Sequence, residues 1–124
     1  MASENLVISG GRALSGEVHV RGAKNNFPKC LVASLLTSES CRLRNIAHIE
    51  DLDIVSGMLK ALGGDVRIND HDLEISLANI HTATRDSFQE FSGRSRIPIL
   101  FAGPLLARFG EATIPKLGGC RIGS

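Results

Sequence analysis

Three short segments of this sequence bring together residue types that can do chemistry. The first is Gly22-Ala23-Lys24-Asn25-Asn26. Two small residues permit close approach of the backbone, and a helix is expected to begin at Asn25 or Asn26. Free N–H groups at a helix start, the positive end of its dipole and the Lys24 ammonium together suit a compact anion. The same residues also read as an exposed lysine ahead of an asparagine helix cap. The second segment is Ser92-Gly93-Arg94-Ser95-Arg96, again at an expected helix start. Arginine makes planar, charge-assisted pairs with phosphate or carboxylate, although a solvated arginine face gives the same pattern. The third is Gly118-Gly119-Cys120. A thiol in a glycine-flanked loop beside Lys116 and Arg121 is placed to form thiolate, which suits nucleophilic or acid–base work. Cys30 and Cys41 differ from it, because they fall on apolar faces and read as small core residues.

Other chemistries find less support. The four histidines (His19, His48, His71, His81) have no i,i+4 pair, and the three cysteines have no CxxC spacing. Neither a metal site nor a disulfide framework is expected. A net charge of +1 gives no global field to draw the chain to nucleic acid or to an anionic membrane. Five Phe without Trp or Tyr make a base-stacking platform a poor fit. The longest apolar run, 97–107, is too short to span a bilayer and contains Pro98 and Pro104. The first residues lack the basic and apolar regions of a signal peptide, so a cytoplasmic protein is expected, with neither nucleic acid nor membrane as partner.

The elements that must position these residues follow from periodicity. Leu6-Val7-Ile8 and Glu17-Val18-His19-Val20 read as short strands around a turn-rich stretch. Phe27, Cys30, Leu31, Ser34 and Leu35 share one helical face, with Pro28 tolerated in the first turn. Cys41 to Arg44 alternates as a strand. Acids at 50, 51 and 53 open a helix that Ile54, Val55, Met58, Leu59 and Leu62 continue to the stop Gly63-Gly64. Val66-Arg67-Ile68 and Leu73 to Leu77 read as a hairpin, 78–93 as a connection, 95–108 as a helix ended by Gly110, and 111–114 as a last strand. Alternation of this kind argues for α/β layers, with the second unit left incomplete.

Taken together the segments acquire a family likeness. Leu14-Ser15-Gly16-Glu17-Val18, Gly22-Ala23-Lys24-Asn25, Ala33-Ser34-Leu35-Leu36-Thr37, Leu43-Arg44-Asn45-Ile46, Leu59-Lys60-Ala61-Leu62-Gly63-Gly64, Gly103 to Gly110 and Gly118 to Gly123 resemble the UDP-N-acetylglucosamine 1-carboxyvinyltransferase family over nearly the whole chain. The Gly-Gly-Cys loop after Ala107-Arg108-Phe109-Gly110 is the specific part. Ala23-Lys24-Asn25 and the loop cysteine separate this sequence from the sister family that makes enolpyruvylshikimate phosphate, which typically carries Ser-Lys-Ser and lacks that cysteine.

The resemblance implies an inside-out α/β barrel of βαβαββ units, of which this chain holds the first and part of the second. Residues 1–21 are then strands of a second domain, and 22–124 begin the catalytic N-terminal one. It implies a transferase that moves the enolpyruvyl group of phosphoenolpyruvate to the 3-hydroxyl of UDP-N-acetylglucosamine, releasing phosphate, in the first committed step of peptidoglycan synthesis, with no cofactor. Lys24, Asn25 and Arg96 match substrate-binding positions. Cys120 matches the general acid, which can also hold the substrate covalently and is alkylated by fosfomycin. Asn26, Phe27, Lys29 and Pro98 depart from the family pattern and leave a different nucleotide acceptor open. A non-catalytic fragment of the same fold is the other alternative. The family's uridine loop, two further arginines and an aspartate have no counterpart in these 124 residues. Helices with a large apolar surface are therefore expected to be covered by self-association, by another chain or by further sequence.

Overall fold

A computed structural model describes residues 5–119. Its organising element is the helix α2, Glu50–Ala61; α1 spans Phe27–Ala33 and runs on as a 3₁₀ turn, Ser34–Leu36. Leu52, Ile54, Val55, Ser56, Met58 and Leu59 are all buried, so α2 is covered on most of its circumference, as a central helix must be. It packs against α1, against the strand β2 (Asp65–Asn69) and against a 3₁₀ turn, Ile97–Phe101. Glu50, Asp51 and Asp53 lie in its first turn. Its C-terminus closes as a Schellman motif, with the Gly63 amide donating to Lys60 O and the Gly64 amide to Leu59 O, and with Gly63 at φ +91°.

The sheet is antiparallel, in the order β1 (Cys41–Leu43), β3 (Asp72–Ser76), β2. Val66, Leu73 and Ile75 face the helices, while Arg42 and Arg67 both pair in register with Glu74 on the open face. Such opposite-charge neighbours support the pairing from the solvent side. Arg42 also donates to Asp72 Oδ2 at 2.8 Å, which holds the Asp72 carboxyl below its ordinary range.

The expected helix over 95–108 is divided. Ile97–Phe101 is a 3₁₀ turn and only Ala102–Phe109 is α-helix, α3. Pro104 has no N–H to give to the carbonyl of Leu100, so α geometry cannot run unbroken through it. Gly110, at φ +77°, ends α3 as its sequence position suggests. From α3, Arg108 reaches across the fold: Nη1 donates to Leu35 O and Thr37 O, both at 3.1 Å, and Nη2 donates to Leu77 O at 2.6 Å.

Four local expectations need correction. Residues 6–8 and 17–20 form no strand among the described residues, and Leu6, Val7, Ile8, Leu14, Val18 and Val20 are each at least 81% exposed. A strand exists only with a ladder partner, which alternation alone does not supply. Residues 111–114 likewise remain irregular. Cys30 is exposed, because the buried stripe of α1 runs through Phe27, Pro28, Leu31 and Val32 and leaves Cys30 off its edge; Cys41 is half-buried. Exposed apolar side chains are most numerous in residues 6–20; Leu36, Ile99 and Leu106 on the helical segments are also at least half exposed, whereas α2 is largely covered.

One buried polar atom stands out. Ser56 Oγ, on α2, has no hydrogen-bond partner among the described residues. A desolvated hydroxyl without a partner is unfavourable, and alanine is the better helix former. Ser56→Ala should therefore raise unfolding stability by about 1 kcal/mol in a denaturant titration. A loss of stability would show that the hydroxyl is engaged.

Candidate functional site

The second and third chemical segments meet in the fold. The Gly93 amide donates to Lys116 O at 2.8 Å, and the Gly118 amide donates to Ser95 O at 3.0 Å. These two bonds lace the loop 115–119 along the turn 93–96. The fit requires glycine: a Cβ on Gly118 would lie 1.7 Å from Gly93 O, and Gly119 adopts φ +87°. An ideal Cβ on Gly119 would sit 3.7 Å from the Arg96 amide, so the residue preceding Cys120 lies directly against Arg96. Cys120 itself is outside the described residues. Gly93, Arg96, Ile99 and the loop 116–119 line an open cavity of about 760 Å³.

The two arginines of this turn have separate roles. Arg94 Nη2 donates to Glu50 Oε1 at 3.2 Å, and Ser95 Oγ donates to Asp51 Oδ1 at 3.0 Å while accepting the Ile97 amide at 3.1 Å. The acids that open α2 thus also anchor the turn. Arg96 is exposed, lines the cavity and has no ion pair among the described residues. Arg94 positions the turn, and Arg96 remains available to an anion.

The first segment is built separately. The Gly22 amide donates to Asn45 O at 2.8 Å, and a Cβ there would stand 2.7 Å from the same oxygen. Asn45, at φ +58°, also donates from Nδ2 to Val20 O at 3.1 Å and accepts from Arg21 Nη1 at 3.4 Å. Asparagine tolerates this left-handed conformation, so Asn45 is the residue that holds the approach to Lys24. The only sign of that role in the sequence is an asparagine placed just after a short strand.

Lys24 and Asn25 are exposed in the turn before α1. Asn26 does not act as a side-chain cap: its backbone is helical, its Oδ1 lies 3.9 Å from Cys30 Sγ, and the amides of Asn26 and Phe27 both donate to Ala23 O. Lys24 and Asn25 do not line the cavity that holds Arg96. What joins the two regions is packing, since α1 rests on the 3₁₀ turn that begins immediately after Arg96. In chemical terms, the fold presents a cavity lined by Arg96, which has no ion pair among the described residues, and by the glycine loop that precedes Cys120 in sequence, with a separate lysine at the head of a neighbouring helix.

With this geometry, residues 8–124 match the family described as EPSP synthase (3-phosphoshikimate 1-carboxyvinyltransferase), and the chain belongs to that family. Within it, the similarity runs to proteins named UDP-N-acetylglucosamine 1-carboxyvinyltransferase. That of Gloeobacter violaceus is 40% identical over 122 residues, covering 96% of this chain and 26% of the relative. One from Prochlorococcus marinus is 37% identical, covering 97% and 26%. One from Staphylococcus epidermidis is 36% identical, covering 98% and 29%. The chain thus spans little more than a quarter of the length of these relatives. The mixed helix and antiparallel sheet are those of a partial α/β fold of this family. No helix among the described residues is long and apolar enough to cross a membrane.

Proposed function

We propose that these residues supply part of the site that transfers the enolpyruvyl group of phosphoenolpyruvate to the 3-hydroxyl of UDP-N-acetylglucosamine, a step of peptidoglycan synthesis in the cytoplasm. The observation that carries this reading is the lacing of loop 115–119 onto the Arg96 turn, which brings the residue before Cys120 against the Arg96 backbone, at a cavity that Arg96 and the loop both line. Arg96 and Lys24 bind the substrate's phosphate and carboxylate charge, and Asn25 contributes polar contacts beside Lys24. Cys120 gives its proton to the methylene carbon, which leaves an oxocarbenium-like centre on the adjacent carbon. The sugar hydroxyl attacks that centre, losing its proton to a base outside these residues. Phosphate then leaves the tetrahedral adduct, and return of a methyl proton to the Cys120 thiolate restores the double bond, while the fixed cations stabilise the charge that develops. The chain's own residues supply these groups without a cofactor. Assignment of residues 1–21 to a second domain belongs to the same proposal, supported by the exposed apolar side chains of 6–20.

The test is alkylation by the epoxide fosfomycin. Because Cys30 is exposed, accessibility alone cannot favour Cys120. Mass spectrometry should find the epoxide on Cys120 ahead of Cys30 and Cys41, with Arg96→Ala and Lys24→Ala slowing the reaction. Equal modification of all three thiols would sink the assignment.

Gly118→Ala is a second check on the same loop. The added methyl has no room beside the Gly93 carbonyl, so the Gly118–Ser95 bond must break and the loop must move. Displacements of about 1 Å can cost about a hundredfold in reactivity. Epoxide labelling of Cys120 should fall on that scale while circular dichroism stays unchanged. An unchanged labelling rate would separate the loop geometry from the thiol's chemistry.

A further inference from the structure

Away from this site, the fold brings together three residues that their positions in the sequence keep apart. His48 precedes α2, while Asp70 and His71 form the turn between β2 and β3. The two imidazole rings lie 4.9 Å apart, and His48, Asp70 and His71 each offer one donor atom such that all three lie within 4.8 Å of one another.

The hydrogen bonds fix the tautomer of each neutral ring. His48 Nε2 lies 2.8 Å from Asp70 O, and His71 Nδ1 lies 3.1 Å from Ile46 O. A carbonyl oxygen only accepts, so both of these nitrogens carry hydrogen. In the neutral rings this leaves His48 Nδ1 and His71 Nε2 bare. A bound carbonyl on one nitrogen with a free lone pair on the other is the arrangement that orients metal-ligating histidines. His71 Nε2 faces Asp70 Oδ1 at 3.5 Å. Two acceptors at that distance repel unless a cation lies between them, and the spacing is close to the ligand–ligand edge of a tetrahedral site with bonds of about 2.0–2.1 Å.

The frame around the group is held independently. The Ile46 amide donates to His71 O at 2.8 Å, so the segment before His48 and the hairpin turn are joined on both sides. Asp70 occupies φ +51° in the turn, outside the β2–β3 ladder. Arg21 and Arg44 line the adjacent cavity together with Asp70, His71 and Asp72. The charge of these two guanidiniums weakens the hold on any divalent ion, and a single ligating carboxylate falls short of the several oxygen ligands that calcium and magnesium require. Two imidazoles and one carboxylate instead suit a borderline transition metal.

We propose that His48, Asp70 and His71 form a surface site for a divalent transition metal of the zinc class, with solvent completing the coordination. The ion clips residues 46–48 to the β2–β3 turn. The competing occupant of the same gap is a proton, which would make His71 and Asp70 an ordinary ion pair.

The experiment is zinc titration by calorimetry on the 124-residue chain, with its cysteines carbamidomethylated so that thiolates cannot compete. One equivalent should bind, and the thermal midpoint should rise with added zinc because the ion prefers the folded state. His48→Gln and Asp70→Asn alter exposed side chains, and asparagine accepts the left-handed turn, so both variants keep the fold. Each should weaken zinc about tenfold or more, whereas His19→Gln and His81→Gln should change nothing. Absence of zinc binding would leave the proton as the occupant and overturn the site. Zinc binding that survives both His48→Gln and Asp70→Asn, or that is lost with His81, would overturn it equally.

Discussion

The 124 residues alone are expected to release no measurable phosphate from phosphoenolpyruvate and UDP-N-acetylglucosamine. On the proposed reading they contribute an acid, Cys120, and two anion-binding cations, Lys24 and Arg96. The uridine contacts, the further arginines and the aspartate implied by the family resemblance lie outside these positions, and the relatives are nearly four times as long. Positioning of both substrates can supply about 7–11 kcal/mol of a barrier, and each 1.4 kcal/mol is about tenfold in rate. Loss of several positioning groups should therefore remove turnover by many orders of magnitude. Phosphoenolpyruvate binding is expected to survive weakly, because Lys24 and Arg96 are both present. A phosphate-release assay with both substrates decides the matter, with Cys120→Ala as the control. Turnover that disappears in Cys120→Ala would show that the chain, as an assembly, completes the site by itself.

Arg108→Ala is expected to cause the largest loss of stability of any single side-chain change outside the apolar core. The guanidinium serves three carbonyls from two separate parts of the chain: Leu35 and Thr37 at the end of the α1 segment, and Leu77 just after β3. Charge-assisted hydrogen bonds contribute about 1.5–3 kcal/mol each, and the carbonyls at a helix end have no alternative partner within the helix. Arg108 is half-buried, so water can replace part of what is lost. A net cost of about 3 kcal/mol follows, a large share of the roughly 5–15 kcal/mol that stabilises a domain. Arg108→Lys should recover little, since an ammonium cannot span the three acceptors as a planar fork does. Urea titration of both variants tests this. A cost below about 1 kcal/mol for alanine would mean that solvent serves those carbonyls equally well.

The sequence by itself determined the elements whose signals are local. Acids followed by apolar residues at helical spacing and a glycine pair specify α2, because dipole, burial and the left-handed stop all act within one helix. The β2–β3 hairpin is equally legible, since its alternating runs flank a short polar turn. Family membership is legible as well, because it resides in motifs such as Gly118-Gly119-Cys120 whose residues are contiguous.

Only the tertiary structure decided what depends on a partner. Residues 6–8 and 17–20 have strand patterning but no ladder among the described residues, since pairing is a property of two segments. The roles of Arg94 and Arg96 cannot be separated by composition; the acids on α2 separate them by engaging one and leaving the other exposed. Gly118 is required because Gly93 O occupies the space its Cβ would take, a clash between residues far apart in the chain. His48 and His71 have no ligand spacing in sequence, yet the bonds between Ile46 and His71 draw their rings together. In each case the deciding interaction is a contact between distant segments, and such contacts exist only where burial of the core around α2 offsets the loss of chain entropy.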